Sequence, residues 1–266
     1  MTGAGSGLGK GAALGLAKAG HTVIAGVHKW EQKSRFLEEL KDYEYSDNIE
    51  IIKLDILDVM DCINAWEYDI DILVSNAGIG QSGPVSEMPV GLIREVMETN
   101  VFSALEFAQP FIKQMVDRKA GKVVFVSSLA GLTTSPYLGA YNASKYALEA
   151  IVQSLRDELV PHNVSVATIN PGPYKTGFND RMYESFSQWH NDDQYFTKRK
   201  EIIKASKGLL DNQFDPKEMI DVMVDLIPKD THDFRNISPK ALVDKCKTYE
   251  STQYELKCND KDPSKK

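Results

Sequence analysis

Five short runs rich in Val and Ile divide the first two thirds of the chain: HTVIAGV at 21–27, IEIIKLDI at 49–56, IDILVSN at 70–76, VVFVS at 123–127 and VSVATIN at 164–170. Runs this apolar on both faces read as strands buried from both sides. Between them lie helix-period stretches, among them WEQKSRFLEELKDYE, DVMDCINAWEY and AYNASKYALEAIVQSLRDEL. The alternation predicts an α/β fold, a Rossmann-like doubly wound parallel sheet with helices on both faces. Ligands in such sheets bind beyond the carboxyl ends of the strands.

The helical stretches carry their own expectations. In the long region from Val90 to Lys119, Leu92, Val96, Val101, Leu105, Ala108 and Ile112 recur at three and four, predicting an inward face. In DVMDCINAWEY, Val59, Ile63 and Trp66 are expected inward. Asp215-Pro216 reads as a helix start, with Met219, Val222, Met223 and Leu226 on its apolar side. FRNISP reads as a last short strand, and the polar tail from Ser251 as frayed.

The opening residues MTGAGSGLGKGAALGLAKAG place Gly3, Gly5, Gly7 and Gly9 ahead of an Ala/Leu-rich helix. Glycines there allow a tight turn and close approach of backbone to a pyrophosphate, and the helix N-terminus offers unpaired N–H groups. Such a loop should follow a strand, yet only Met1 and Thr2 precede Gly3. The expectation is a sheet lacking its first, central strand, with open hydrogen-bonding edges on the neighbours.

The remaining composition narrows the function classes. A chain of 266 residues suits a single catalytic domain spanning 1–266 rather than two full ones. A net charge of -7 without a basic run argues against nucleic acid. Cys62, Cys246 and Cys258 form neither a disulfide framework nor a metal pattern, and the five histidines show no ligand spacing, so no metal is expected. No apolar stretch reaches membrane-spanning length, which makes no membrane partner and a cytoplasmic location the expectation.

Candidate chemistry gathers at Ser127–Lys145. Tyr141 and Lys145 are four apart at the start of a helical run, so they stand on one face. Ser128 follows a strand and can reach the same cleft. Tyr-x-x-x-Lys alone is common on half-exposed helices; its place after two glycine- and asparagine-marked loops is what makes it a candidate site. A phenol beside an ammonium is a plausible acid/base pair. Lys145 is expected to lower the phenol pKa of Tyr141. Asn100 sits inside a helical run, where Asn more often has a hydrogen-bonding task.

Taken in order, these motifs resemble the single-domain short-chain dehydrogenase/reductase family. TGAGSGLG is similar to its TGxxxGxG cofactor loop, SNAG to its NNAG stretch with Ser75 in place of the first Asn, and PGPYKT to its PG-x-x-x-T element. Ser128, Tyr141 and Lys145 resemble its catalytic Ser and YxxxK, and Asn100 its helix Asn. The ordered match covers residues 2 to about 176. The resemblance implies an NAD(P)-dependent oxidoreductase interconverting a small-molecule carbonyl and alcohol, with Tyr141 as proton donor or acceptor. It further implies that Lys145 bonds the nicotinamide ribose and that Asn100 positions a water. The cofactor-side set it implies is Gly3, Ser6, Gly7, Leu8, Gly9, Asp55, Ile56, Asn76, Ala77, Gly78, Pro171, Gly172 and Thr176, together with Tyr141 and Lys145. A homodimer or homotetramer through the helices at 92–115 and 141–159 is also implied.

The cofactor type is a separate question. Val27 stands where an acid would bind the 2′-hydroxyl of NAD, and His28 and Lys29 follow with the charge to attract a 2′-phosphate. NADP is therefore expected over NAD, although Ser6 is not the basic residue often found inside the loop of NADP binders in this family. Residues 174–218 lose the alternation and mix aromatics with charges, as a substrate lobe or lid would, with Phe178, Met182, Tyr183, Phe186 and Trp189 as its apolar set. Two rival readings are a catalytically weak NAD(P)-binding regulatory or structural protein of the same fold, and a sugar-nucleotide epimerase, which the length and loop spacing disfavour.

Overall fold

The apolar runs become strands because their side chains alternate between two hydrophobic layers. In this computed structural model, which describes residues 1–259, Leu73, Val123 and Phe125 face one layer while Val74, Val124 and Val126 face the other. The elements follow in chain order as α1 (Gly7–Lys18), β1 (Val23–Val27), α2 (Trp30–Leu40), β2 (Ile49–Lys53), α3 (Val59–Trp66), β3 (Ile72–Ser75), α4 (Val90–Met97), α5 (Ser103–Arg118), β4 (Gly121–Val126), α6 (Gly139–Leu159), β5 (Val164–Pro171), α7 (Phe178–Glu184), α8 (Arg199–Leu210), α9 (Pro216–Leu226), β6 (Arg235–Ser238) and α10 (Val243–Thr252). All strand pairs are parallel, in the orders β1-β2 and β3-β4-β5-β6.

Between β1 and β3, at their carboxyl ends, lie residues 1–4. Met1 O accepts from Gly26 N at 2.9 Å, Ala4 N donates to Gly26 O at 2.8 Å, and Thr2 N donates to Val74 O at 2.9 Å. The Thr2 hydroxyl accepts from Asn76 N and Ala77 N, each at 2.9 Å. The expected gap is therefore bridged at the end of the sheet where a ligand would bind, and among the described residues no strand continues that bridge along β1 and β3. The core is not divided by it. One apolar cluster runs from Ala25 and Val27 through Ala4 to Val74, Val124 and Ile169, under Ala12 and Leu16 of α1 and Met219 and Met223 of α9.

The other face is covered by α5 and α6 through Phe107, Phe111, Met115, Leu148 and Val152. Here the expected inward positions Val96, Val101, Ala108 and Ile112 are buried, and Leu92 and Leu105 half-buried. The α3 expectation needs correction. Val59 and Ile63 are exposed, at 64% and 41%, and Cys62 and Ala65 are the buried pair. Asp58 caps the helix by accepting from Met60 N and Asp61 N, which fixes where it starts, while docking against the core turns Cys62 and Ala65 inward. Trp66 is half-buried and donates through Nε1 to Phe107 O at 3.1 Å.

Asp215 caps α9 and Pro216 opens it, with Met219, Met223 and Leu226 buried and Val222 half-buried. The tail is helical through α10 to Thr252, with a further turn over Gln253–Glu255, so its first part is ordered rather than frayed. Positions 260–266 of the expected frayed tail lie outside the described residues.

Candidate active site

A cleft of about 480 Å³ opens at the carboxyl ends of the strands. Its floor is the glycine loop. Ser6 stands at the N-cap of α1 without a side-chain bond to the helix, and no acidic residue occupies the first turn. The helix therefore presents unpaired N–H groups and positive potential to the cleft, a donor set that fits a pyrophosphate. Gly9 is required by packing: a Cβ there would lie 2.4 Å from Asn76 Nδ2 and 2.5 Å from Gly3 O. Asn76 braces the loop from beneath, donating through Nδ2 to the carbonyls of Thr2 and Gly3 at 3.0 and 3.1 Å. Gly7 has φ 55 and turns toward Thr176, whose Cβ would lie 3.2 Å from an added Cβ.

On the opposite wall, β4 delivers Ser127 and Ser128 and the first two turns of α6 deliver Tyr141 and Lys145. Ser127 N continues the strand pairing by donating to Ile169 O at 2.8 Å. Ser128 is extended, and its hydroxyl accepts from Ala130 N at 3.1 Å. Tyr141 and Lys145 are 7% and 5% exposed. The Lys145 ammonium donates to Val126 O at 3.0 Å and lies 5.8 Å from the Tyr141 ring centroid.

Burial dominates the electrostatics here. It pushes the Tyr141 phenol up to about 12, against a lowering hydrogen bond with Ser128. It pushes the Lys145 ammonium down to about 8, against the raising charge of Glu149. The expected lowering of the phenol by Lys145 is thus corrected. The ammonium points its bond at a backbone carbonyl, and desolvation of the phenolate is the larger effect.

Asn100 lies in a π-turn over Glu98–Phe102 between α4 and α5, a distortion that occurs often at functional sites. It is 1% exposed. Its Oδ1 accepts from Ile79 N and its Nδ2 donates to Ile79 O, both at 2.8 Å, and Nδ2 also donates to Ser144 Oγ at 3.0 Å. The side chain thereby ties the loop after β3 to α6 and sets the wall beside Lys145. A Cβ on Gly78 would sit 3.1 Å from Asn100 Oδ1 and 3.9 Å from Lys145 Nζ.

At the far end, His28 and Asp55 face one another, Nε2 to Oδ2 at 3.1 Å, and Asp55 Oδ1 accepts from Leu57 N at 3.0 Å. Val27 is wholly buried in the core, so the residue at the end of β1 that reaches the cleft is His28. Lys29 is not among the lining residues; its N–H donates to Gln32 Oε1 at 3.0 Å. Ile56, Ala77, Pro171, Gly172 and Thr176 line the cleft with Gly3, Ser6, Gly7, Leu8 and Gly9. Gly172 N donates to Ser238 O at 2.7 Å, which pins this turn to β6.

Several lining residues escape sequence reasoning: Gln32, Thr99, Asn179 and Arg181. Gln32 sits where a Cβ on Gly5 would lie 2.8 Å from its Cδ. Its position in the first turn of the helix after β1 is the one signal that could have found it. The aromatic set of 174–218 splits in two. Phe178 lies 5.7 Å from the Tyr141 ring, and Met182 and Tyr183 join Tyr141 and Leu138 in a small cluster. Phe186 and Trp189 instead pack edge-on against His190, with Tyr195 closing the group.

Among the described residues no helix is long and apolar enough to cross a membrane, and no group of three His, Cys, Asp or Glu could hold a metal ion. The model of the short chain dehydrogenase family matches residues 1–185. The chain belongs to the short-chain dehydrogenases. It is an oxidoreductase of the NAD(P)-dependent dehydrogenase/reductase type with the Rossmann-like fold of that family. An uncharacterized oxidoreductase of Bacillus subtilis, YusZ, is 33% identical over 235 residues, covering 86% of this chain and 84% of that protein. The NADPH-dependent 3-dehydrocapnine reductase of Ornithobacterium rhinotracheale is 34% identical over 188 residues, 66% of this chain and 65% of the relative. The chain thus spans slightly less than two thirds of that reductase. The short-chain dehydrogenase/reductase of Burkholderia phymatum in complex with NAD shares the fold at a TM-score of 0.80, with 20% identity, 98% of this chain and 95% of that one covered.

Proposed function

We propose that this dehydrogenase interconverts a carbonyl and an alcohol with NADP(H) in preference to NAD(H), and that carbonyl reduction is its favoured direction at neutral pH. The observation that carries the reading is the convergence of Ser128, Tyr141 and Lys145 in one cleft facing the free N-terminus of α1. When bound, a nicotinamide dinucleotide supplies or takes the hydride. The residues do the rest. The Ser128 hydroxyl holds the substrate oxygen and Tyr141 exchanges a proton with it. A phenol held up at about 12 keeps its proton at neutral pH, which suits it to donate to a developing alkoxide. Lys145 would hold the ribose side of the cofactor and supply positive charge near the reacting oxygen, while Asn100 fixes the wall behind it.

The adenosine end supports the cofactor preference. β1 ends without a carboxylate in the cleft, and His28 and Gln32 offer donors there. Asp55 competes for His28, so the preference is one of degree. The lobe at 174–218 covers the substrate side through Phe178 and the Met182–Tyr183 pair, giving a partly apolar pocket suited to a hydrophobic alcohol or ketone. Phe102, just ahead of α5, and Tyr146 of α6 are 51% and 39% exposed, and these faces suit the pairing of two copies. The test is a carbonyl panel with NADPH beside NADH, following nicotinamide fluorescence for binding and absorbance for turnover. Reduction of at least one carbonyl, faster with NADPH, is expected; binding of neither dinucleotide contradicts the reading.

A further inference from the structure

Tyr141, Lys145 and Glu149 are spaced by four and form one stack along the buried face of α6. Glu149 is 3% exposed. Its Oε1 accepts from Asn170 Nδ2 at 2.6 Å and its Oε2 accepts from Arg235 Nε at 2.9 Å. Asn170 is wholly buried, its Oδ1 accepts from Thr168 Oγ1 at 3.0 Å, and its Nδ2 also approaches Ser128 O at 3.4 Å. Gly131 closes over the stack: a Cβ there would lie 2.9 Å from Lys145 O and 3.0 Å from Glu149 Cγ. One carboxylate is thus linked to the backbone of Ser128 and stacked one turn beyond Lys145.

Burying a carboxylate and pairing it inside a protein is often no more stabilising than an apolar side chain of the same volume. On the buried side of α6 position 149 is flanked by Leu148 and Val152, so an apolar residue there would extend the core. The charge therefore calls for a role beyond packing. We propose that Glu149, held between Asn170 and Arg235, is a positioning residue that keeps Lys145 charged and Ser128 seated for the reaction. This rests on the catalytic reading above.

The field at Lys145 supports the assignment. Burial favours the neutral amine, and the Glu149 carboxylate is the group that opposes it. Arg235, whose second nitrogen donates to Gln153 Oε1 at 2.9 Å, offsets part of that carboxylate charge from the β6 side. Tyr141 is the other titratable group in the stack. Cys246, Tyr249 and Glu250 of α10 act on Tyr146 at the outer side of α6, whereas Glu149 is the charge that acts on Lys145. Residues 129–131 and β5 carry no charge, and Arg94, Glu95 and Glu98 of α4 and the π-turn are exposed. Lys122, at the opposite end of β4, is bonded to the carbonyls of Ile227 and Lys229. Glu149 and Arg235 should then act on Lys145 in opposite senses.

The experiment is an NMR titration of the Lys145 side chain in the free protein, its signal assigned by loss in Lys145→Met, compared with Glu149→Gln and Arg235→Met. Glu149→Gln should lower the Lys145 midpoint by about one pH unit, and Arg235→Met should raise it. The alkaline limb of kcat should move in the same two directions, and Glu149→Asp should restore part of the shift. Shifts of one sign in both variants, or no shift in either, overturn the proposal. If Glu149→Gln does not fold, Arg235→Met carries the test alone: a raised midpoint supports it, and an unmoved or lowered one overturns it. The titration needs neither cofactor nor turnover. A wild type that reduces no carbonyl therefore contradicts the catalytic reading without touching this measurement.

Discussion

Lys145 lies beneath the ring of Tyr141, its ammonium 5.8 Å from the ring centroid, and its hydrogen bond goes to Val126 O at 3.0 Å rather than to the phenol oxygen. The pair is buried together, so each charged form is disfavoured by the same lack of solvent. The neutral phenol and the easily discharged ammonium are the consequence, and the pH behaviour of the enzyme follows from them.

In the carbonyl reduction proposed above, Tyr141 gives up its proton and Lys145 must carry its charge. The phenol, held at about 12, keeps its proton throughout the accessible range, whereas the ammonium discharges as pH rises through about 8. The rate of reduction should be flat near neutrality and fall about tenfold for each unit above that point. A kcat profile between pH 6 and pH 10 checks this. A rate that climbs through pH 8 contradicts it.

The same burial makes Lys145 a stability cost. Its folded-state pKa of about 8 lies below its ordinary 10.5, so below pH 8 the folded protein must hold a charge that burial disfavours. The shift corresponds to about 3 kcal/mol, less about 1 kcal/mol for the bond to Val126 O that a substitution removes. Lys145→Met should therefore raise unfolding stability by about 2 kcal/mol at pH 7, a gain that fades between pH 8 and pH 10.5. Urea unfolding at the two pH values measures it.

His28 is the side chain that β1 delivers to the far end of the cleft, where the proposed function places the adenosine of the dinucleotide. His28→Asp places two carboxylates, Asp55 and the new one, where a 2′-phosphate would lie. The NADPH-to-NADH preference in kcat/KM should fall by about tenfold or more, equivalent to about 1.4 kcal/mol. An unchanged ratio would remove the 2′-phosphate from this end of the cleft.

Gly9 has no room for a side chain, because a Cβ would meet Asn76 Nδ2 and Gly3 O at 2.4 and 2.5 Å. Gly9→Ala should displace the loop, destabilise the fold by about 1–3 kcal/mol and weaken dinucleotide binding. Gly208→Ala, on an exposed helix with open space at its Cβ, is the control expected to leave both unchanged or slightly improved.

Much of this is legible in the chain itself. Strands buried on both faces need continuous apolar runs, so β2 to β5 announce themselves, and the residues just after them mark the cleft. Tyr141 and Lys145 follow from helical spacing once the strand ahead of them is placed. Other features depend on tertiary docking. Nothing in the local sequence sets the phase of α3, where Val59 and Ile63 compete with Cys62 and Ala65 for the inward face. The π-turn at Asn100 leaves no propensity signal. Gln32 and Arg181 enter the cleft only because their helices pack where they do. Val27 and His28 differ by one strand position, and that single step decides which points into the core and which into the cleft. The direction of the Tyr141 shift was equally hidden, because desolvation depends on what surrounds a residue rather than on its neighbours in sequence.

Tyr141→Phe separates proton donation by the phenol in the proposed nicotinamide-dependent carbonyl reduction from binding of the dinucleotide. The substitution keeps the ring that packs on Phe178 and removes only the hydroxyl. NADPH affinity, read by fluorescence, should stay within about threefold of the wild type, while kcat for carbonyl reduction falls by about 10²–10⁴-fold. Near-full activity with intact cofactor binding would rule out Tyr141 as the proton donor.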